Sequence, residues 1–271
     1  MSAPLRTRLK FLADTDRPLV YVPSKGGGDE TDHLGNFRSR VVEVHDARTS
    51  LRSPSLDAEG FLLRLHATRV GDFYDDAELH SVYHDEVGEL VGHLTGAHKV
   101  EVFDDTRRAA SLDTQRERGI REPAGIVHND YTARSGIRRL RDHFAGDPEA
   151  LDPLLERRFA IINVWRSIAG PVVDHPLVLC DATTVRAQDL VAMERRAEER
   201  TGELQVALFH PAQRWYYYPL MQPDEVLVFK TFDSATDGRT RFTVHSSCQD
   251  PSAPDDAPTR ESIETRCFVF F

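Results

Sequence analysis

The stretch Gly125-Ile126-Val127-His128-Asn129-Asp130-Tyr131 decides how this chain is read. An apolar run enters it, and a histidine and an aspartate sit two positions apart. On a β-strand, residues i and i+2 point to the same face. His128 and Asp130 therefore aim an imidazole and a carboxylate at one point. Such a pair supplies two of the three ligands in a 2-His-1-carboxylate facial triad, which leaves open positions on a non-haem Fe(II). His-x-Asp is short and usually accidental on its own. The reading stands or falls on a third ligand and a co-substrate clamp elsewhere in the chain.

Bulk properties narrow the classes. A chain of 271 residues with 40% apolar and 29% charged residues is an ordinary globular protein, long enough to bury one large β-rich core. Its 34 basic and 44 acidic residues leave a net charge of -10, which argues against nucleic acid and against an anionic membrane surface. Cys180, Cys248 and Cys267 are widely spaced and form neither a CxxC metal pattern nor a disulfide framework, so a reducing cytoplasm is expected. No apolar run approaches the roughly 20 residues of a membrane span. A homo-oligomer is left open.

Outward from the opening stretch, short apolar runs dominate. Leu19–Val22, Phe37–His45, Phe61–Leu65 and Val100–Phe103 precede it, and Phe159–Arg166, Leu177–Asp181, Leu204–Phe209, Val226–Lys230, Arg241–His245 and Ser262–Phe271 follow. All read as strands. Leu79, Val82, Tyr83, Val87, Leu90, Val91 and Leu94 recur at helical spacing, so a helix is expected over Asp75–Thr95 with Gly96 as its stop. Ser135–Phe144 and the charged stretch 190–199 also read as helical, and 107–123 as a polar loop. The Lys25-Gly26-Gly27-Gly28 run lacks the ending and the following helix of a phosphate cradle, and reads as a flexible turn. The expected fold class is α+β and β-rich: a double-stranded β-helix (jelly-roll or cupin-like) core with flanking helices. A single domain spans 1–271, with 1–36 as an N-terminal extension and the motifs within about 120–271.

His245, which ends a strand-like run 117 residues beyond His128, is the best third ligand, ahead of His210. Fifteen residues later comes Arg260-Glu261-Ser262. A guanidinium fork holds a carboxylate bidentately, and Ser262 presents a hydroxyl on the same side. Arg266, deeper in the final strand, rivals Arg260. Arg166 is a charge inside an apolar strand and needs a partner, either a substrate or co-substrate carboxylate or a structural ion pair. Tyr131, Trp165, Trp215 and Tyr217 are candidates for the substrate pocket, although aromatic residues more often build core.

His128-x-Asp130, a distal His245 and then Arg260-x-Ser262 is similar to the ligand order of Fe(II)/2-oxoglutarate-dependent dioxygenases. Longer phrases narrow the likeness: Asn163-Val164-Trp165-Arg166, Gly170-Pro171, Leu177-Val178-Leu179-Cys180-Asp181-Ala182, and Arg214-Trp215-Tyr216-Tyr217 through Pro223-Asp224-Glu225-Val226. From about residue 37 to the end the chain resembles the hydroxylase/desaturase family of natural-product pathways, which includes a gibberellin desaturase and a cephamycin-pathway protein. The resemblance implies iron held by His128, Asp130 and His245, with 2-oxoglutarate bound by Arg260 and Ser262 and Arg166 as a further candidate. It implies O2 as oxidant, decarboxylation of 2-oxoglutarate to succinate through an Fe(IV)-oxo species, and hydroxylation or desaturation of a small molecule. Two alternatives use the same residues: a metal-dependent hydrolase or isomerase, and a jelly-roll binding protein without catalysis.

Overall fold

A computed structural model describes residues 3–29, 31–198 and 200–271. Its first strand shows how alternation builds the larger sheet: in β1 (Leu5–Leu12) Leu5, Thr7, Leu9 and Phe11 turn inward while Arg6 and Arg8 face water. Then follow β2 (Val20–Val22), β3 (Asp32–Leu34), β4 (Phe37–Asp46), β5 (Phe61–Leu65), β6 (Lys99–Ala109) and β7 (His128–Asn129). The second half supplies β8 (Phe159–Ser167), β9 (Leu177–Cys180), β10 (Leu190–Arg196) and β11 (Thr201–Ala207). It ends with β12 (Trp215–Tyr217), β13 (Glu225–Asp233), β14 (His245–Ser247) and β15 (Glu261–Phe270).

Ten strands form one sheet in the order β1-β4-β12-β9-β14-β7-β11-β10-β2-β3, and five form the other, β5-β13-β8-β15-β6. The larger sheet curls until β1 meets its own middle, through bridges from Lys10 to Ile126 and from Leu12 to Leu208. Leu9, Phe11, Val44, Val127, Val178 and Trp215 fill that curl. A separate cluster joins the two sheets: Phe61, Trp165, Leu227 and Phe229 from the smaller meet Leu179 and Tyr216 from the larger. This is the β-rich jelly-roll architecture expected.

The helices are α1 (Ala47–Ser50), α2 (Asp76–Glu78), α3 (His84–Thr95), α4 (Leu112–Arg118), α5 (Ala133–His143) and α6 (Pro148–Glu156). A π-helical turn, Leu79–Tyr83, joins α2 to α3, and Gly96 ends α3 in the left-handed region with φ 67°. Tyr83, Val87 and Val91 pack on Ala160, Ile162, Val164, Ile263 and Val269, the outer face of the smaller sheet. That sheet is thus covered on both sides, and every residue of β8 and of β13 is buried. Two-sided cover explains why both strands are mostly apolar, and why the polar residues within them, such as Asn163, Arg166, Lys230 and Asp233, are buried and bonded to other groups.

The sequence reading differs from the fold in several places, one of them the run Arg241–His245 expected as a strand: residues 241–244 are irregular and His245 opens β14. The charged segment expected as a helix over 190–199 forms β10 over Leu190–Arg196, and Glu199 lies outside the described residues. Pairing with β11 from Leu190↔Ala207 to Arg196↔Thr201 overrides the helical propensity of its Ala, Met, Glu and Arg. The expected N-terminal extension contributes β1, β2 and β3 to the larger sheet. The polar loop 107–123 contains α4, capped by Ser111 and ended by Gly119 in the left-handed region.

Helix α5 fixes the backbone just beyond Asp130. Thr132 caps it, and Ser135 returns a hydroxyl to the Thr132 amide at 2.8 Å. Gly136 lets α5 lie against Phe232: a Cβ there would sit 2.3 Å from Phe232 Cδ2. Gly136→Ala is therefore expected to lower stability by about 1–3 kcal/mol, the usual range for overpacking. Urea denaturation checks this, and an unchanged midpoint would contradict the packing.

Candidate active site

His128 opens β7 and His245 opens β14, and these neighbouring strands pair in register at His245↔His128. Directly opposed residues share a face, and the two ring centroids lie 4.5 Å apart. Asp130, two residues beyond His128, brings Oδ1 within 3.6 Å of His128 Nε2 and 3.8 Å of His245 Nε2. The ligand atoms of the three side chains all lie within 4.8 Å of one another, and among the described residues no other group of this kind occurs.

The donor set fits a divalent ion. His128 Nδ1 meets the Ile126 carbonyl at 2.8 Å, and His245 Nδ1 meets the Thr243 carbonyl at 2.9 Å. A carbonyl only accepts, so these contacts assign the ring proton to Nδ1 in both residues. Both Nε2 lone pairs are left facing Asp130, the tautomer a metal ligand needs. Asp130 Oδ2 accepts from Arg266 Nε and from Asn163 Nδ2, each at 2.9 Å. Arg266 is anchored in turn by Asp104 and Thr106 at 2.9 Å and by Glu264. Asn163 donates also to Glu264 at 2.9 Å and accepts from Thr231 at 3.1 Å.

Burial, then the neighbouring His245, lowers His128 from 6.5 to about 4 against the pull of Asp130. Burial lowers His245 too, again opposed by Asp130. Burial alone would push Asp130 up, but Arg266, both imidazoles and Asn163 outweigh it and hold the carboxylate well below its ordinary range. Glu264 moves the other way, pushed up by burial and by Asp130 against the pull of Arg266. The triad thus presents two neutral imidazoles and one carboxylate at neutral pH, ready to accept a cation.

The shifts carry a sign for stability. In the metal-free protein the unfolded chain protonates these histidines near pH 6.5, while the folded His128 resists until about pH 4. The unfolded state binds more protons in that window, so stability present above it is lost as pH falls through it. Tm of the metal-free protein should therefore drop steadily across the window. Stabilisation on acidification would contradict neutral imidazoles.

Arg260 lies immediately before β15 and is only 4% exposed. Its NH1 donates to the His175 carbonyl at 2.6 Å and to Ser247 Oγ at 3.2 Å, and its guanidinium lies 5.4 Å from the Trp165 ring centroid. Its Nε has no partner among the described residues, and no carboxylate there pairs with it. Burial, with Arg108 nearby, pulls this arginine down to about 9. Ser262 is buried two positions on, opposite Ser167 and Arg108. A buried apolar wall links this end to the triad. Trp165 packs with Leu179, Leu227 and Phe229, and the Phe229 ring stands 4.8 Å from that of His245.

Other expected residues land elsewhere. Arg166 is on the opposite face of β8 from Asn163 and Trp165. It pairs in register with Ile263, lies over Tyr83 and Phe73 beneath α3, and donates to His66 at 2.7 Å. The alternation of β8 therefore turns it away from the face that carries Asn163 and Trp165. Arg266, the rival clamp, is already bound to Asp130. Trp215 packs with Phe11 in the curl of the larger sheet, and Tyr217 packs against the same cluster. Tyr216 and Tyr218 turn toward the layer between the sheets instead. Tyr131 packs with Phe159, Phe232 and Phe268 and lines the open cleft beside Asp130. His210 sits beyond β11, accepts from the Ala212 amide and takes no part in the triad.

The residues whose role the sequence did not suggest are Asn163, Glu264 and Arg266, the last expected only as a rival clamp and found holding Asp130. Their signal is polar side chains spaced by two inside otherwise apolar strands. A cleft of about 1070 Å³ opens on His128 and Asp130 from outside. His245 and Arg260 lie deeper.

A curled strand layer bearing a 2-His-1-carboxylate triad, with a buried arginine behind it, defines the non-haem Fe(II) oxygenases. The family described as "Oxidoreductase/YMDC permease-like domain" matches residues 9–270. The chain is 32% identical to the hydroxylase/desaturase CTB9 of Cercospora beticola, over 91% of this chain and 83% of that protein. It is 33% identical to the Fe(II)/2-oxoglutarate-dependent dioxygenase nvfI of Aspergillus novofumigatus, over 95% of this chain and 92% of that one. The solved structure of the iron and alpha-ketoglutarate-dependent endoperoxidase NvfI superposes with a TM-score of 0.84 at 29% identity, covering 99% of this chain and 98% of that one. The chain belongs to this family of Fe(II)/2-oxoglutarate-dependent dioxygenases and hydroxylase/desaturases. No helix among the described residues is long and apolar enough to cross a membrane.

Proposed function

We propose that this enzyme hydroxylates or desaturates a small-molecule pathway intermediate, with Fe(II) held by His128, Asp130 and His245. The observation that carries the reading is the pair of Nδ1–carbonyl contacts, which leave both Nε2 atoms facing Asp130. Bound iron, with 2-oxoglutarate and O2, supplies the oxidation of an unactivated C–H bond.

The chain's own residues do the rest. Arg260 and Ser262 bind the far carboxylate of 2-oxoglutarate, where the unpaired Arg260 Nε meets a charge otherwise lacking there. Trp165 stacks on that guanidinium and, with Leu179, Leu227 and Phe229, excludes water from the path to the metal. Arg266 and Asn163 hold one Asp130 oxygen so that the other faces the imidazoles. Tyr131 forms the near wall for the substrate. The buried free thiols of Cys180, Cys248 and Cys267 suit a reducing cytoplasm.

Anaerobic titration with Fe(II) and 2-oxoglutarate tests this through the weak visible charge-transfer band of the chelate. Admission of air should then yield succinate. A hydrolase or isomerase on the same ligands would give neither signal.

A further inference from the structure

The outer cleft carries a charge imbalance that neither iron nor 2-oxoglutarate accounts for. Its acidic groups are already taken: Arg266 holds Asp130 and Asp104, Arg107 holds Asp76, and His84 meets Asp105 at 2.5 Å. On the facing wall Asp142 pairs with Arg200, Glu198 with Lys25 and Glu203 with Arg134. Among the half-buried arginines lining the same cleft, Arg139 lies over the Phe103 ring at 4.6 Å, while two, Arg121 and Arg195, have no side-chain hydrogen bond, no ion-pair partner and no aromatic ring beneath them among the described residues. A third, Arg108, makes a single contact, to the Glu122 carbonyl at 2.8 Å. The Glu122 carboxylate itself is occupied by Ser24 at 2.7 Å and by Thr31.

These three arginines line the same cleft as the metal ligands His128 and Asp130. Arg108 faces Ser262 across β6 and β15, and a backbone bridge sets Arg121 beside Arg108. Arg195 comes from β10 on the other side, its backbone paired with Tyr21. Burial, helped by Arg266, Arg121 and Arg200 against the opposing Tyr21, pulls Arg195 below the ordinary arginine range. Gathering like charges in a half-dry cleft is unfavourable unless an anion arrives there. A planar fork of donors matches an oxyanion in geometry as well as charge.

We infer that the substrate is an anion, a carboxylate or phosphate ester, whose charged group is gripped by Arg121 and Arg195 at the cleft mouth. The rest of the molecule then extends past Tyr131 toward the iron. This inference rests on the oxygenase reading for its substrate role, while the anion site itself does not need iron. It gives the overall acidic protein a locally basic entrance, which favours encounter with an anionic ligand at low ionic strength.

Calorimetry on the Fe(II)- and 2-oxoglutarate-loaded enzyme without air tests it, using matched aryl and terpenoid carboxylic acids, the corresponding phosphates, and their amides. At least one anion should bind about tenfold or more tightly than its amide, as loss of a charged hydrogen bond implies. The binding should weaken as salt is raised. Arg121→Gln and Arg195→Gln should each remove about tenfold of the anion affinity, and the double variant should lose the preference over amides. Whether acids or phosphates bind better identifies the oxyanion. Equal binding of anion and amide, no anion binding at millimolar concentration, or a double variant that keeps the preference overturns the inference. The chelate band on the same parent sample reports separately on the oxygenase reading, so failure of one is distinguishable from failure of the other.

Discussion

Replacing Asp130 with alanine is expected to abolish the visible Fe(II)–2-oxoglutarate chelate band. The change removes the anionic ligand and leaves two neutral imidazoles, Arg266 and Asn163 around a divalent cation. The loss of metal affinity should exceed the roughly 10–100-fold that follows removal of a mere supporting partner. Arg266 keeps Asp104, Thr106 and Glu264. The apo fold should therefore lose less than the about 3–5 kcal/mol typical of breaking a buried ion pair outright. Asp130→Asn is the informative companion, because it keeps the shape and one acceptor oxygen but not the charge. A band at full strength in both variants, with circular dichroism showing a folded protein, would place the iron elsewhere.

The second large effect belongs to Arg260. Arg260→Ala should weaken 2-oxoglutarate by about 2–5 kcal/mol, the usual cost of truncating one partner of a buried charged pair. The apparent 2-oxoglutarate constant, read from the same band, should rise while Fe(II) binding stays close to normal. Arg260→Lys keeps the charge but loses the fork and its stacking on Trp165, so only partial recovery is expected. Arg166→Met supplies the contrast. Its side chain lies beneath α3 on the other face of β8. Once folded, that variant should bind 2-oxoglutarate as the parent does. The reverse outcome, with Arg166 mattering and Arg260 not, would falsify the assignment of the clamp.

The grouping of His128, Asp130 and His245 was legible because the candidate site is written as short ordered motifs. His128-x-Asp130 and Arg260-x-Ser262 each use the two-residue period of a strand, so each pair stays together whatever the register. His245 could be chosen because it closes an apolar run ahead of the arginine, although in the fold it opens β14. What failed was parity. Trp215 and Tyr217 share a face, but which face looks between the sheets depends on the pairing of β12 with β4 and β9, which no local pattern encodes. The same holds for Arg166, one position from Trp165 and pointing the opposite way. Length and periodicity located the long α3 correctly, whereas 190–196 carried helix-favouring residues and became a strand through its hairpin partner. Asn163, Glu264 and Arg266 could have been found. In strands with both faces buried, each polar residue needs a nearby partner, and these satisfy one another.

The opposed pair His128 and His245 has a consequence for the chain as a polymer. The strands they open are short, two and three residues, and sit side by side near the middle of the ten-stranded sheet. Positions 128 and 245 are 117 apart, and the span between them carries β8 to β13, strands of both sheets. An ion gripping both imidazoles closes that span as a clasp, tying early and late halves of the polypeptide together where few backbone hydrogen bonds do so. Because closing a long loop is what the unfolded chain resists most, the clasp penalises opening more than its size suggests. The iron that serves the reaction would then also hold shut the seam between the two halves of the chain, and removal of the metal should first be felt as earlier proteolytic opening between β7 and β14.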